Sequence, residues 1–410
     1  MSWKWTTQPR VSLGFTYRQR TVRVVTIQRV VLQQRILINA NFYGVGGRET
    51  HVVKLCEALV QTGVEVTVVS RVANSSAKEI TDSLEAVPVR FLSTPFASSS
   101  KLRLSTIWAM MGWPLHLRQH SFDALYTFDI SSFTEFLRKF VSSDGKLILN
   151  RAGDLMRVED LPAKNLTLPD LIIVETELQA AAARDVFGNN LRIISIPPLG
   201  NYHSPPGRIE TPSKEFLDAA FLGRFDESKG AFRLLNVWSK LRDQRIRLSF
   251  YGHGDRDRLK EAICSLGLTD RISIKESWTS PKELAKILDQ TDFVVLPSQT
   301  EGLPIVLLES IAHGVPFVAT DVGAIRTLAE GNPDVLVVEN ELEAISAGID
   351  KMASLIRSGS VIGKRLQQFA LERYNYELLA ADWQQALLNP ANERLQAPVA
   401  DNVEARVVIQ

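Results

Sequence analysis

From Arg35 onward, short runs rich in β-branched and other apolar residues alternate with stretches whose apolar positions recur at helical spacing. The first series of runs is RILINAN (35–41), VEVTVVSR (64–71), VPVRFLS (87–93), DALYTF (123–128), KLILN (146–150), LIIVET (171–176) and RIISIPP (192–198). Helix-like stretches such as ETHVVKLCEALVQTG separate several of them. Strands alternating with helices predict βαβ units and a parallel sheet covered on both faces. The pattern stops at NYHSPPGRIETPSKEFL (201–217), a stretch of Pro, Ser, Gly and charge that reads as a linker. It resumes with DAAFLGR (218–224), RIRLSFYG (245–252), RISIKE (271–276), FVVLPS (293–298), PFVATD (316–321) and DVLVVE (334–339). The expected fold is therefore α/β, with one Rossmann-like domain over 35–200 and a second over 218–368, facing each other across a cleft. Ligands of such sheets bind outside the carboxyl ends of the strands. FALERYNYELLAADWQQALL (369–388) reads as one amphipathic helix, and 389–410 is a tail without clear periodicity.

Composition narrows the class. The 410 residues are 45% hydrophobic and 23% charged, the balance of an ordinary soluble protein with room for large cores. A net charge of +1 offers no field to recruit nucleic acid, so no nucleic-acid partner is expected. No uninterrupted apolar run reaches the length of a membrane span. Cys56 and Cys264 sit in helical patterns and read as two buried core thiols, consistent with a reducing, cytoplasmic compartment. From Met1 to Arg48 there are eight Lys or Arg and no acid. Residues 1–34 read as a basic N-terminal extension, disordered or outside the fold; the other reading is an arm touching anionic lipid. Apolar pieces such as VVTIQRVVLQQ are interrupted by Gln and Arg and do not make a secretory signal.

Four segments carry candidate chemistry. FVVLPSQTEGLPIVLLESIAHG (293–314) reads as strand, loop and buried helix, with Pro304 at the first helical position and Gly314 at the helix end. Seven apolar or small residues separate Glu301 from Glu309, and a buried carboxylate is costly unless something satisfies it. Glu309 lies two turns past Gly302 and leans toward the helix N-terminus, an anion site by its free N–H groups. An anion there, with hydroxyls within reach of Glu309, describes a sugar–phosphate ligand; the bland alternative is a Glu paired with a neighbouring Arg. In AFLGRFDESKGAFRLLNVWSKL (220–241), Arg224 and Lys229 flank a strand end and a helix start. They suit a diphosphate leaving group, Arg224 as a fork and Lys229 as a point charge, with no metal demanded. They also suit an ordinary charged loop. NFYGVGGRETH (41–51) offers Gly44, Gly46 and Gly47 for close backbone approach, yet Glu49 stands where a dinucleotide fingerprint needs its third glycine. YGHGDRDRLKE (251–261) adds His253, as a cleft residue or a solvated turn histidine.

Together these segments resemble the retaining, nucleotide-sugar-dependent glycosyltransferases of the GT-B fold, most closely glycosyltransferase family 4 (glycosyl transferases group 1). LGRFDESKG, YGHGD and PSQTEGLPIVLLESIAHGVPFVATDVGA stand in family order, and the likeness covers roughly Arg35 to Leu388. The resemblance implies that Glu309 hydrogen-bonds the donor ribose and that Glu301 faces and orients the donor sugar. Gly302 and Leu303 would offer backbone N–H groups, and Arg224 and Lys229 would neutralise the departing diphosphate. Gly46 and Gly47 would approach the phosphates, the loop Ile274–Trp278 would lie against the base, and the helix at 369–388 would cross back to the first domain. The implied reaction has no cofactor beyond the nucleotide-diphosphate sugar as donor. Its acceptor would be a sugar, a lipid-linked glycan or a small molecule, in polysaccharide or other glycoconjugate synthesis. Two departures stand out. Many members carry a first-domain histidine near the segment DALYTFDISS, which here offers Phe128 and Asp129; and Ala324, Ile325 and Arg326 replace a glycine-and-acid pattern. A non-hydrolysing nucleotide-sugar epimerase, or a donor-binding protein without turnover, are the rival readings. KLRLSTIWAMMGWPLHLRQH (101–120) reads either as a core helix or as a peripheral membrane contact at the inner membrane face.

Overall fold

The computed structural model describes residues 34–40, 42, 46–72, 82–84, 86–95, 117, 121–151, 167–188, 191–202 and 214–390. Residues 1–33 of the N-terminal extension, most of the linker, Gly44, the tail beyond 390 and all of 101–120 except the buried Leu117 lie outside the described residues.

Thirteen strands are described, and each falls on a run that the apolar pattern marks. β1 (Arg35–Asn39), β2 (Glu65–Val72), β3 (Arg90–Pro95), β4 (Phe122–Thr127), β5 (Val141–Asn150), β6 (Leu171–Val174) and β7 (Arg192–Ser195) form one sheet in the order 3-2-1-4-5-6-7. β8 (Leu217–Leu222), β9 (Ile246–Tyr251), β10 (Ile272–Lys275), β11 (Phe293–Leu296), β12 (Phe317–Thr320) and β13 (Leu336–Val338) form the other, in the order 10-9-8-11-12-13. All pairings are parallel, and strands such as β6 and β11 are buried at every position, as helices on both faces require. In both sheets the order reverses beside the first strand, and that switch point opens a crevice at the carboxyl ends. β5 begins five residues earlier than its apolar run, where the polar VSSDG joins β4 through a register shift between Phe122 and Ala124.

Three helices follow strands of the first sheet. α1 (Gly47–Gln61) follows β1, α3 (Glu177–Phe187) follows β6, and α2 (Ser132–Arg138) lies between them in the chain. In the second sheet, α4 (Ala231–Lys240), α5 (Arg256–Ser265), α6 (Pro281–Asp289) and α7 (Ile305–Ala312) follow β8 to β11 in turn, and α8 (Leu342–Arg357) follows β13. The single helix expected over 369–388 is two. α9 (Gly363–Arg373) packs against α7, and α10 (Tyr376–Leu388) packs against α1. The break falls at Tyr374–Asn375, where the Asn375 side chain accepts from Leu378 N–H and caps the second helix. Crossing is sealed by Trp383, whose Nε1 donates to Pro197 O (2.8 Å), and by Gln384 Nε2, which donates to Ala58 O (2.6 Å). One cysteine expectation is corrected: Cys56 is buried on α1, but Cys264 is exposed, because the inward position of that turn is taken by Ile263.

Candidate active site

A cavity of about 490 Å³ opens between the two sheets, and the residues around it come from strand ends and the helix starts that follow them. From the second sheet it takes Arg224, Lys229, His253, Trp278 and the segment from Glu301 to Val306 with Glu309; from the first, the segment Gly46–His51 with Phe128, Asn150 and Glu175. The sequence candidates Glu301, Arg224, Lys229, Gly46, Gly47, Gly302, Leu303 and Glu309 thus line one space.

Lys229 is set by a turn. Asp226 Oδ1 accepts from the Ser228 hydroxyl (2.7 Å) and from Lys229 N–H (2.9 Å). Gly230 follows at φ +77°, a left-handed position where a Cβ would stand 2.0 Å from Pro297 O. The chain therefore runs close beneath the β11 loop, and Lys229 Nζ reaches both Glu301 oxygens at 2.7 Å. Ser298 Oγ donates to Glu301 Oε1 (2.7 Å), and Thr320 Oγ1 donates to Ser298 O (2.6 Å). Gly323 (φ +58°) lies under the Glu301 carbonyl, with no room for a side chain. Arg224 is more exposed and pairs with Asp226 at 3.3 Å.

The glutamate helix opens at Ile305 with Pro304 as its cap, one residue later than the sequence suggests. Its approach is occupied by protein. Glu175 Oε2 accepts the Leu303 N–H (2.7 Å), so the backbone donor expected to meet a ligand is engaged across the cleft. Glu175 is held just before the α3 N-cap, where Gln179 Oε1 accepts from Glu175 N–H (3.0 Å) and the Thr176 hydroxyl. Glu309 is buried and its Oε1 accepts from Asn201 N–H (3.2 Å) and Nδ2 (3.0 Å). Burial raises its carboxyl to about 7, although Asn201 and Lys54 oppose the shift.

On the opposite wall, Gly46 caps α1 and Gly47 meets the side chain of Ile305, so the starts of α1 and α7 face each other. A Cβ on Gly46 would come within 2.9 Å of the Glu49 carboxylate. Arg48 stacks over the Phe128 ring at 5.1 Å. One turn on, His51 is buried between Tyr126 and Trp383, the latter ring 4.5 Å away. Its Nδ1 accepts from Leu199 N–H (2.9 Å) and its Nε2 lies 2.9 Å from the Tyr126 oxygen. Burial depresses its pKa to about 3, so the ring is neutral. Tyr126 also contacts the Asn150 amide at 2.5 Å.

Sequence reasoning did not single out Arg48, His51, Asn150 or Glu175 as site residues. The signal available for Arg48 and His51 was their place in the glycine loop and the turn after it; Asn150 and Glu175 end apolar strands and carried none. Asp129 is not part of the lining. Its Oδ1 accepts from Thr134 (3.1 Å) and contacts Asn39, Thr127 and Ser131, fastening the turn into α2. Arg326 pairs with Asp321 away from the cavity.

Two parallel Rossmann-like sheets with a cleft between them and a returning C-terminal helix define the class as the GT-B fold. Solved structures agree. Sucrose-phosphate synthase from Thermosynechococcus elongatus superposes with a TM-score of 0.68 at 18% identity, over 87% of this chain and 99% of that one. Anabaena HepE in complex with UDP and glucose gives 0.67 at 15% identity, over 87% and 100%. Residues 217–355 match the family described as Glycosyl transferases group 1, and residues 45–148 match Glycosyltransferase Family 4. The chain belongs to these GT-B glycosyltransferases of group 1. It is 26% identical over 165 residues to an uncharacterised glycosyltransferase of Methanocaldococcus jannaschii, covering 40% of this chain and 42% of that one. It is 30% identical over 183 residues to a putative colanic acid biosynthesis glycosyltransferase, WcaL, of Salmonella typhimurium, covering 40% and 45%. The match spans less than half the length of either relative. Among the described residues no helix is long and apolar enough to cross a membrane.

Proposed function

We propose that the protein transfers a sugar, with retention and without a metal, from a nucleotide-diphosphate sugar to a hydroxyl of a sugar, a lipid-linked glycan or a small acceptor, in the synthesis of a polysaccharide or related glycoconjugate. The observation that carries this reading is the meeting of Arg224, Lys229, the α7 start and Glu309 in one cleft. In the proposed step the bond from sugar C1 to the phosphate oxygen breaks and its electron pair leaves with the diphosphate. Arg224 and Lys229 face that growing charge, and fixed cations lower a barrier to the extent that they hold the transition state more tightly than the ground state. The acceptor oxygen forms the new bond to C1 on the same face, and its proton passes to the departing phosphate oxygen. Glu309 takes the ribose hydroxyls, Glu301 orients the sugar, and the Trp278 side lies toward the base. A donor must then displace the Glu175 carboxylate from Leu303 N–H and share Lys229 with Glu301.

Thermal unfolding against a panel of UDP-, GDP- and ADP-sugars tests the reading. A donor at a hundred times its dissociation constant adds about 2.7 kcal/mol to stability. The gain is expected for one base in wild type and reduced in Lys229→Ala and Glu309→Ala. No shift with any nucleotide sugar would overturn the assignment.

A further inference from the structure

The segment that leaves the first sheet after β7 is fastened at nearly every residue. Pro197 O accepts from the Trp383 indole, Leu199 N–H donates to His51 Nδ1, and the Tyr202 hydroxyl donates back to Pro198 O (2.7 Å). At Gly200 a Cβ would stand 2.8 Å from the Ile305 side chain, so the chain here runs hard against the start of α7. Asn201 is thereby presented to α7 by backbone that is held on α1, α7 and α10.

What Asn201 does there is one-sided. Its backbone N–H (3.2 Å) and its Nδ2 (3.0 Å) both donate to the same atom, Glu309 Oε1. A backbone N–H only donates, so Oε1 is an acceptor, and the amide must turn its NH2 to it because the amide oxygen would face another lone pair. Two donors on one oxygen hold the carboxyl plane as well as its position. Among the described residues no donor reaches Oε2. Glu309 is 4% exposed and lines the cavity, so Oε2 is the oxygen that remains for a ligand. A long carboxylate side chain left free would have to be ordered by the ligand, at a cost to affinity.

We infer that Asn201 is a positioning residue for the nucleotide: by holding Glu309 Oε1 it presents Oε2 to the ribose hydroxyls. The inference rests on the proposed function, which gives Glu309 the ribose, and adds the residue that aims it. Asn201 itself need not touch the nucleotide. Its effect must then pass through Glu309 and be confined to the two ribose hydroxyls, leaving the base and the phosphates as they were. A role in packing alone would treat every nucleotide alike.

The full chain is titrated with UDP, GDP and ADP and with their 2′,3′-dideoxy counterparts, as wild type, Asn201→Ala, Asn201→Asp, Glu309→Ala and the Asn201→Ala/Glu309→Ala double variant. Asn201→Ala keeps the backbone N–H and removes Nδ2; it is expected to weaken the ribonucleotide roughly tenfold and to leave the dideoxy form unchanged. In the Glu309→Ala background the same substitution should have no further effect, as acting through one residue requires. Asn201→Asp keeps the size of the side chain but sets an acceptor against Oε1, so it should lose at least as much as Asn201→Ala. Equal losses for ribo and dideoxy forms, additive losses in the double variant, wild-type binding by Asn201→Asp, or no loss in Asn201→Ala each overturn the inference. A wild type that binds no nucleotide, or binds ribo and dideoxy forms alike, instead overturns the proposed function or the place of Glu309 in it, and the inference with it.

Discussion

Lys229 keeps a quarter of its side chain in solvent, whereas Glu301 keeps 6%. Removing either member of their ion pair therefore has different consequences. Lys229→Ala strands a buried carboxylate with the Ser298 hydroxyl as its remaining partner described above, and we expect a loss of about 2–4 kcal/mol. Glu301→Gln leaves an ammonium that reaches water, and the expected loss is about 1 kcal/mol. Urea unfolding of both variants checks the order; equal losses would contradict it. Glu309 and His51 make a second prediction through their protons. Glu309 is raised from 4.5 to about 7, so its contribution to stability is full below about 4.5 and is lost as pH rises through about 7. His51 is lowered from 6.5 to about 3, so its contribution is present above about 6.5 and is lost as pH falls toward 3. Between about pH 4.5 and 6.5 the two slopes oppose and cancel. Glu309→Gln removes one, and its stability should climb by up to about 1.4 kcal/mol per pH unit across that window. Denaturant titrations near pH 5 and pH 6 measure the slope, and a flat profile in the variant would refute the assignment.

The elements around the cleft are held at their ends by backbone that a side chain would spoil. Gly230 at the α4 start has a left-handed φ and a carbonyl where Cβ would be, so Gly230→Ala should cost about 3 kcal/mol or more and weaken nucleotide binding by shifting Lys229. Retained stability with retained binding would show that the turn can relax. The thirteen strands and the four loops that feed the cavity were legible because each is written locally, in an apolar run followed by Gly, Pro or charge. The partners of the candidate residues were not. Glu175 meets Leu303 across 128 positions and Asn201 meets Glu309 across 108, and no local pattern encodes such pairs. The split of the C-terminal helix was hidden for a related reason. Its amphipathic pattern continues through Tyr374–Asn375, while packing assigns α9 to one sheet and α10 to the other. The place of Asp129 was open for a similar reason, since an acid after a strand serves equally well to line a cleft or to fasten a turn.

At the scale of the molecule, α10 joins the chain's second half to the first sheet. Trp383 is almost fully buried against His51 and Tyr126, and Trp383→Ala should cost about 3–5 kcal/mol. Because the ring backs His51, the variant should also weaken nucleotide-sugar binding; calorimetric unfolding and titration together separate the two effects, and unchanged stability would show that α10 is not needed as a clamp. The arrangement also has a meaning in time. A ribosome adding roughly 5–20 residues per second releases the glycine loop early and the indole behind it on the order of tens of seconds later. Through that interval the nascent chain carries half a cleft whose back wall has not yet been made. A completed cavity therefore certifies that synthesis has passed Trp383, and a chain stalled before it would hold its cleft-lining residues without the support that aims them.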